Sequence, residues 1–161
     1  MSQTLKDLAE QGYTNLNLQE IAQSVGTSKQ AIYRRWPDKR TLAIEAVRLG
    51  FRQVPPVPPI SGSLQADLNA TLLQLATSLF EGPLGRAFLA LLSEPSLRQE
   101  AQYIEGEQRT LMRQLFVFAG QTEKMEDQID ALLGPIYFRC AIRGQKVETR
   151  FIYDLVRNTL S

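Results

Sequence analysis

Between Gly26 and Pro37 the chain carries Lys29, Gln30, Tyr33 and Arg34 at helical spacing beside the small Ala31. This row supplies cations, an amide and a hydroxyl, but no nucleophile or base. Its chemistry is hydrogen bonding to an anionic, acceptor-rich surface, and the major groove of a DNA duplex is such a surface. Catalytic alternatives are sparse. The chain has no His, which removes the commonest general base and metal ligand. It also has no phosphate loop and no paired carboxylates at meaningful spacing, so no catalytic residue, cofactor or metal ligand is assigned and the chain is not expected to be an enzyme. Its single cysteine, Cys140, excludes an intramolecular disulfide and lies in an apolar helical context, where it reads as a small core residue.

The elements that position the row are legible around it. Asn17 is expected to cap a first helix, with Glu20 closing a capping box. Leu18, Ile21, Ala22 and Val25 fall at helical spacing and form one apolar face. Gly26 follows, where a helix C-terminus favours a residue without a Cβ. Thr27 is expected to cap the next helix with Gln30 as its third-position partner. Ile32 and Trp36 form that helix's apolar side, and Pro37 ends it. Two short helices across a tight turn, the second rich in donors, make a helix-turn-helix whose second helix suits a major groove.

Net charge is only +1 over 161 residues, so global charge makes no argument for nucleic acid. Its distribution does: residues 1–52 hold eight Lys/Arg against five Asp/Glu, and the remainder ten against twelve. A basic N-terminal unit followed by a mildly acidic body suggests a DNA-binding domain beside a second role. A 43% hydrophobic fraction is that of a folded globular protein. No basic-then-apolar leader and no apolar run of 18 residues occurs, so neither secretion nor a membrane span is expected, and the cytoplasm is the default location.

Thr4 to Gln11 reads as a short leading helix closed by Gly12, and Thr41 to Arg52 as a connecting helix with Leu42, Ala43, Ala46, Val47 and Gly50 inward. The order of a short helix ending in EQGY, then LQEIAQSVGTSKQAIYRRWPDKRTL, then that connecting helix resembles the tetracycline-repressor (TetR) family over about residues 5–47. The resemblance implies an all-α protein of about nine helices. Residues 1–47 would be a three-helix helix-turn-helix domain, and residues 48–161 a helical ligand-binding and dimerisation domain. It places the DNA contacts at Gln19, Lys29, Gln30, Ala31, Tyr33, Arg34 and Lys39. The chemistry fits these roles: Gln30 can read an adenine edge bidentately, Lys29 or Arg34 a guanine, and the Ala31 methyl a thymine methyl. Thr27, Tyr33 and Lys39 suit phosphate contacts that set register. Arg34, Arg35 and Arg40 have a competing reading as a solvated face. Family members usually carry a longer first helix behind a basic arm. The departure from that pattern raises the alternative of a regulator-fold interaction module with weak or no DNA binding.

VPPVPPISGS, residues 54–63, reads as a stiff proline-rich linker. Beyond it the apolar residues keep the helical period in five segments, from about residues 64–80, 84–93, 95–119, 123–144 and 148–160. Pro135 is expected to bend the fourth of these. The last two helices carry more apolar surface than one small body needs to cover. They resemble the closing segment of a TetR subgroup, in which an LLGPIYFR-like stretch precedes a final helix and both enter a four-helix dimer interface. That resemblance nominates Ile129, Leu132, Leu133, Ile136, Cys140, Phe151, Leu155 and Val156 for a homodimer contact, as a palindromic operator on double-stranded DNA requires. The family's effector cavity, for an unidentified and mostly apolar small molecule, would be lined by Phe80, Leu84, Phe88, Leu91, Tyr103, Met112, Phe116 and Tyr137. Tyr103, Tyr137 and Arg139 would be its polar handles. The reading is then of a repressor released from its operator when the effector binds.

Overall fold

The structure is a computed structural model that describes residues 1–54 and 62–161; most of the proline-rich linker expected at 54–63 therefore lies outside the described residues. Among the described residues the chain is all α. The helices are α1 (Ser2–Gln11), α2 (Leu18–Ser24), α3 (Lys29–Arg35), α4 (Lys39–Arg52), α5 (Leu64–Glu81), α6 (Leu84–Ser93), α7 (Arg98–Phe118), α8 (Met125–Tyr137) and α9 (Thr149–Leu160), with a π-helical turn at Phe138–Ile142 after α8. No single helix among them is long and apolar enough to cross a membrane.

The chain forms two compact units, Met1–Gln53 with Pro83–Ile104, and Val54–Gly82 with Glu105–Ser161. Within the first unit α6 packs on α1 and α4. Gly50 is what lets it do so. A Cβ there would lie 2.6 Å from Leu84 Cδ1 and 3.3 Å from Leu5 Cδ1, so the absent side chain is the space that α6 and α1 fill. Around it Leu8, Leu42, Ala43, Ala46, Val47, Ala87 and Leu91 are almost wholly excluded from solvent. Phe51 meets Phe88 edge to face at 5.3 Å, a favoured aromatic geometry.

In the second unit α5 packs on α8, α9 and the π-helical turn. Leu68, Leu72 and Leu79 of α5, Ile129, Leu132 and Ile136 of α8, and Ile152 and Val156 of α9 are all fully buried. Pro135 lies inside α8 and has no N–H for the i−4 carbonyl, and a π-helical turn follows at Phe138–Ile142. The helix widens to i→i−5 hydrogen bonding, seen in Arg143 N–H donating to the Phe138 carbonyl at 2.9 Å. Cys140 sits inside this turn, buried, with its Sγ 3.6 Å from the Ala76 carbonyl, and burial raises its thiol pKa. That matches its reading as a core residue.

Candidate nucleic-acid interface

The turn that presents α3 is built by hydrogen bonds that can be followed one at a time. Asn17 caps α2, its Oδ1 accepting from Gln19 N–H at 2.9 Å. Glu20 meets the Asn17 side-chain amide at 3.1 Å, a variant of the expected box in which side chain meets side chain. At the other end Gly26 N–H donates to the Gln23 carbonyl at 3.1 Å and Thr27 N–H to the Ala22 carbonyl at 2.9 Å. This pair is the Schellman closure, and it needs the left-handed residue between them; Gly26 has φ 67. The helix therefore ends at Ser24, and Val25, expected on the inner face, is the cap residue and is 51% exposed.

Ser28 rather than Thr27 is the N-cap of α3, its Oγ accepting from Ala31 N–H at 3.1 Å. Thr27 is taken up by the Schellman closure, which fixes its backbone before the cap begins. Past the far end of α3, Asp38 caps α4 by accepting from Thr41 N–H at 2.7 Å. That backbone bond holds its carboxyl below the usual range, and it starts α4 at Lys39, two residues earlier than the sequence suggested.

With both ends fixed, α3 turns Ile32 inward, 4% exposed, and Lys29, Gln30, Tyr33 and Arg34 outward. Ala31 is half-buried on the flank, and Gln19 and Thr27 are exposed on the neighbouring helix end and turn. Lys29 stands 5.6 Å from the centre of the Tyr33 ring. The Arg35 guanidinium lies 4.9 Å from the Trp36 ring, and Trp36 is half-buried, its indole N–H donating to Glu45 Oε2 at 2.5 Å. Trp36 thus ties the end of α3 to α4. Arg40 is held too, donating to the Ser96 carbonyl and pairing with Glu100 at 3.4 Å. Lys39 points into the protein: its Nζ donates to the carbonyls of Thr14 at 3.0 Å and Tyr13 at 3.4 Å and lies 4.7 Å from the Tyr13 ring centre.

The effector and dimer candidates are distributed differently. Leu84, Phe88, Leu91 and Tyr103 belong to the first unit, and Phe80, Met112, Phe116 and Tyr137 to the second. Phe80 and Tyr103 are exposed, while Leu84, Phe88, Leu91, Met112 and Phe116 are buried. Burial, with the nearby Glu105 carboxylate, raises the Tyr137 hydroxyl well above the ordinary tyrosine range. A depression of about 300 Å³ in the first unit is lined by residues 11–15 with Ala90, Ser93 and Glu94, none of which the sequence reading nominated. Of the dimer candidates, Ile129, Leu132, Leu133, Ile136, Cys140 and Val156 are buried by their own chain, and Phe151 and Leu155 are half-buried. The large apolar side chains that α8, the π-helical turn and α9 leave exposed are instead Phe138, Ile142 and Tyr153. The π-helical turn could not be read from apolar periodicity, and Phe138 and Ile142 lie in it.

A buried scaffold that holds a short, donor-lined helix clear of its own side chains defines a helix-turn-helix module. The comparisons agree with that class. Residues 1–46 match the model of the bacterial regulatory proteins, tetR family. An uncharacterized HTH-type transcriptional regulator of Mycobacterium tuberculosis is 46% identical over 65 residues, which cover 40% of this chain and 32% of that protein. The chain thus spans about a third of the length of the relatives it matches first. The uncharacterized HTH-type transcriptional regulator YdeS of Bacillus subtilis is 26% identical over 160 residues, covering 94% of this chain and 81% of that one. The crystal structure of the TetR family transcription regulator SCO0332 superposes with a TM-score of 0.72 at 23% identity, over 99% of this chain and 93% of that one, a likeness of fold. The tetR family match thus covers the N-terminal helices, residues 1–46, and the likeness over the rest of the chain is one of fold.

Proposed function

We propose that this protein is a sequence-specific DNA-binding transcriptional regulator, acting as a homodimeric repressor that leaves a palindromic operator when a small molecule binds its C-terminal helical region. One observation carries the reading: α3 keeps Gln30 and Arg34 exposed and, among the described residues, without a hydrogen-bond or ion-pair partner. Folding has left their donors for something else to accept. Gln30, Arg34 and Lys29 are assigned to base edges and the Ala31 methyl to a thymine methyl. Gln19, Thr27 and Tyr33 are assigned to phosphates.

The homodimer is assigned to the exposed apolar side chains Phe138, Ile142 and Tyr153, flanked by the half-buried Phe151 and Leu155. Two-fold operators require a two-fold protein. An apolar effector would contact Met112, Phe116 and Tyr137, which lie in one unit, with the tyrosine hydroxyl as its polar handle.

Selecting DNA from a random library at low salt tests the central claim. An enriched palindrome, its half-sites about one helical turn apart, is the expected result; no enrichment overturns the reading. Sedimentation of Ile142→Glu tests the dimer: it should shift toward monomer, and an unchanged dimer means the contact is elsewhere.

A further inference from the structure

Trp36 follows the last residue of α3 and precedes Pro37. A residue before proline is held to extended backbone, and Trp36 has φ −128 and ψ 101, so its main chain is settled by its neighbour. Its side chain needs a separate hold. Trp36 is half-buried, and an indole N–H in that setting needs an acceptor. The acceptor is the carboxylate of Glu45, itself half-buried in the middle of α4, at 2.5 Å. An ionised acceptor makes the stronger, charge-assisted kind of bond. The Arg35 guanidinium covers the same ring at 4.9 Å and, among the described residues, has no hydrogen-bond or ion-pair partner.

The consequence for α3 follows from how little else fixes it. The helix runs for seven residues, of which Ile32 is the buried one. Its first turn is held by the Ser28 cap and the closure at Gly26. One buried side chain leaves a short helix free to roll, whereas a site that reads base edges must hold its side chains to within about 0.5 Å. We propose that Glu45 is a positioning residue for the reading helix: through the Trp36 indole it fixes the far end of α3, and with it the ring on which Arg35 rests. Glu45 is an anion and no ligand for a phosphate, so its effect on DNA runs through Trp36. This inference rests on the DNA-binding reading above, but the Glu45–Trp36 tie can also be measured without DNA.

The charge of Glu45 gives the test its sign. A carboxylate close to a polyanion repels it, so charge alone predicts tighter binding once the carboxylate is removed; positioning predicts weaker binding. The variants are Glu45→Leu, Glu45→Gln, Trp36→Phe and the combination of Glu45→Leu with Trp36→Phe, all in the full chain. Affinity for the selected operator is measured at a temperature where every variant is folded. Trp36 is the only tryptophan in the chain, so its fluorescence emission, recorded without DNA, reports the indole's surroundings directly. Glu45→Leu should lose about tenfold in affinity and shift the Trp36 emission. Glu45→Gln keeps a carbonyl to accept the indole N–H and should recover most of both. Trp36→Phe should lose a similar amount, and adding Glu45→Leu to it should cost little more, since residues in contact are non-additive. Unchanged or tighter binding by Glu45→Leu overturns the proposal, even with a lowered melting temperature, because the bond would then serve stability alone. Equal losses in the Gln and Leu variants also overturn it, because the charge and not the bond would then be what counts. If the unaltered chain selects no DNA, the functional reading fails. The tie is then judged by Trp36 emission, and an emission indifferent to Glu45→Leu sinks it.

Discussion

Arg34 on α3 and Arg109 on α7 carry the same guanidinium, and the structure treats them in opposite ways. Arg109 is only 18% exposed at its side chain and is surrounded by carboxylates: Asp130 Oδ1 at 2.5 Å, Glu126 Oε2 at 3.0 Å and Glu105 one turn back at 3.8 Å. Arg113 then takes Glu126 in a two-pronged grip at 2.6 and 3.0 Å. Burial pulls the Arg109 pKa down, but the hydrogen bonds to Asp130 and Glu126 outweigh it and hold the group still more firmly protonated. Arg34 is exposed and, among the described residues, has no such partner. The α7–α8 seam spends its charge on joining two helices of one unit, whereas α3 leaves its charge available. Composition alone could not separate these two uses, since both regions are rich in Arg.

The comparison breaks most sharply on the hidden side of α3. If that helix is a display surface, its stability must come from the face it does not display, and Ile32 is the buried residue there. Ile32→Ala should cost about 2–5 kcal/mol, a large share of a typical folding free energy of roughly 5–15 kcal/mol. Thermal unfolding measures it. A loss near zero would mean that α3 is held by its ends alone.

The displayed side should answer in the other assay. Gln30→Ala should relax preference at one base position by about 1–3 kcal/mol, while Tyr33→Phe weakens binding to all sequences alike and leaves preference intact. Neither should move the melting temperature appreciably, because neither side chain supports the fold. Selection followed by sequencing reads both. Unchanged base preferences in Gln30→Ala would reassign the readout to Lys29 or Arg34. Arg109→Met is the mirror experiment on the seam, expected to lower stability by about 1 kcal/mol with operator affinity intact.

How much of this was legible in the sequence differs by region for a physical reason. Helix period and caps are local, so every helix and the Gly26 turn could be placed from spacing, and the inward residues of α4 include all those the period named, with Phe51 besides. What depended on two neighbouring local rules was less secure. Gly26 draws Thr27 into closing α2, so the cap of α3 passes to Ser28 although Thr27 has the same chemistry. What depended on partners distant in sequence was not legible. Nothing near Lys39 reveals that Tyr13 and Thr14 will face it, and nothing near Leu133 or Ile136 says that their own chain will cover them. The apolar pattern of α8 and α9 is the same for a core and for a dimer contact, and burial separates the two.

The cap assignment gives the next smaller effect. Ser28→Ala should cost about 1 kcal/mol, the usual worth of an N-cap hydroxyl, and Thr27→Ala only a few tenths. Equal losses for the two in thermal unfolding would mean that the Thr27 hydroxyl shares the cap.

The mildest test returns to the seam and uses pH. Hydrogen bonds from Arg113 and then Arg109 hold the Glu126 carboxyl at about 2, against an ordinary 4.5. A folded-state pKa below the unfolded one means that the ionised form favours the native state. Its contribution is therefore complete above about pH 4.5 and is lost as pH falls from there toward about 2. Glu105 works in the opposite sense, because burial raises its pKa, so protonating it in acid relieves a cost and blunts the fall. Both Glu126 and Arg113 face solvent, and high salt should shrink the effect further. Melting temperatures at pH 7 and pH 3 should then fall apart less in Glu126→Gln than in the unaltered chain, and less still in 1 M salt. Equal acid sensitivity in the two proteins would show that the seam's charges are as uncommitted as those of α3, and the contrast between Arg34 and Arg109 would rest on geometry alone.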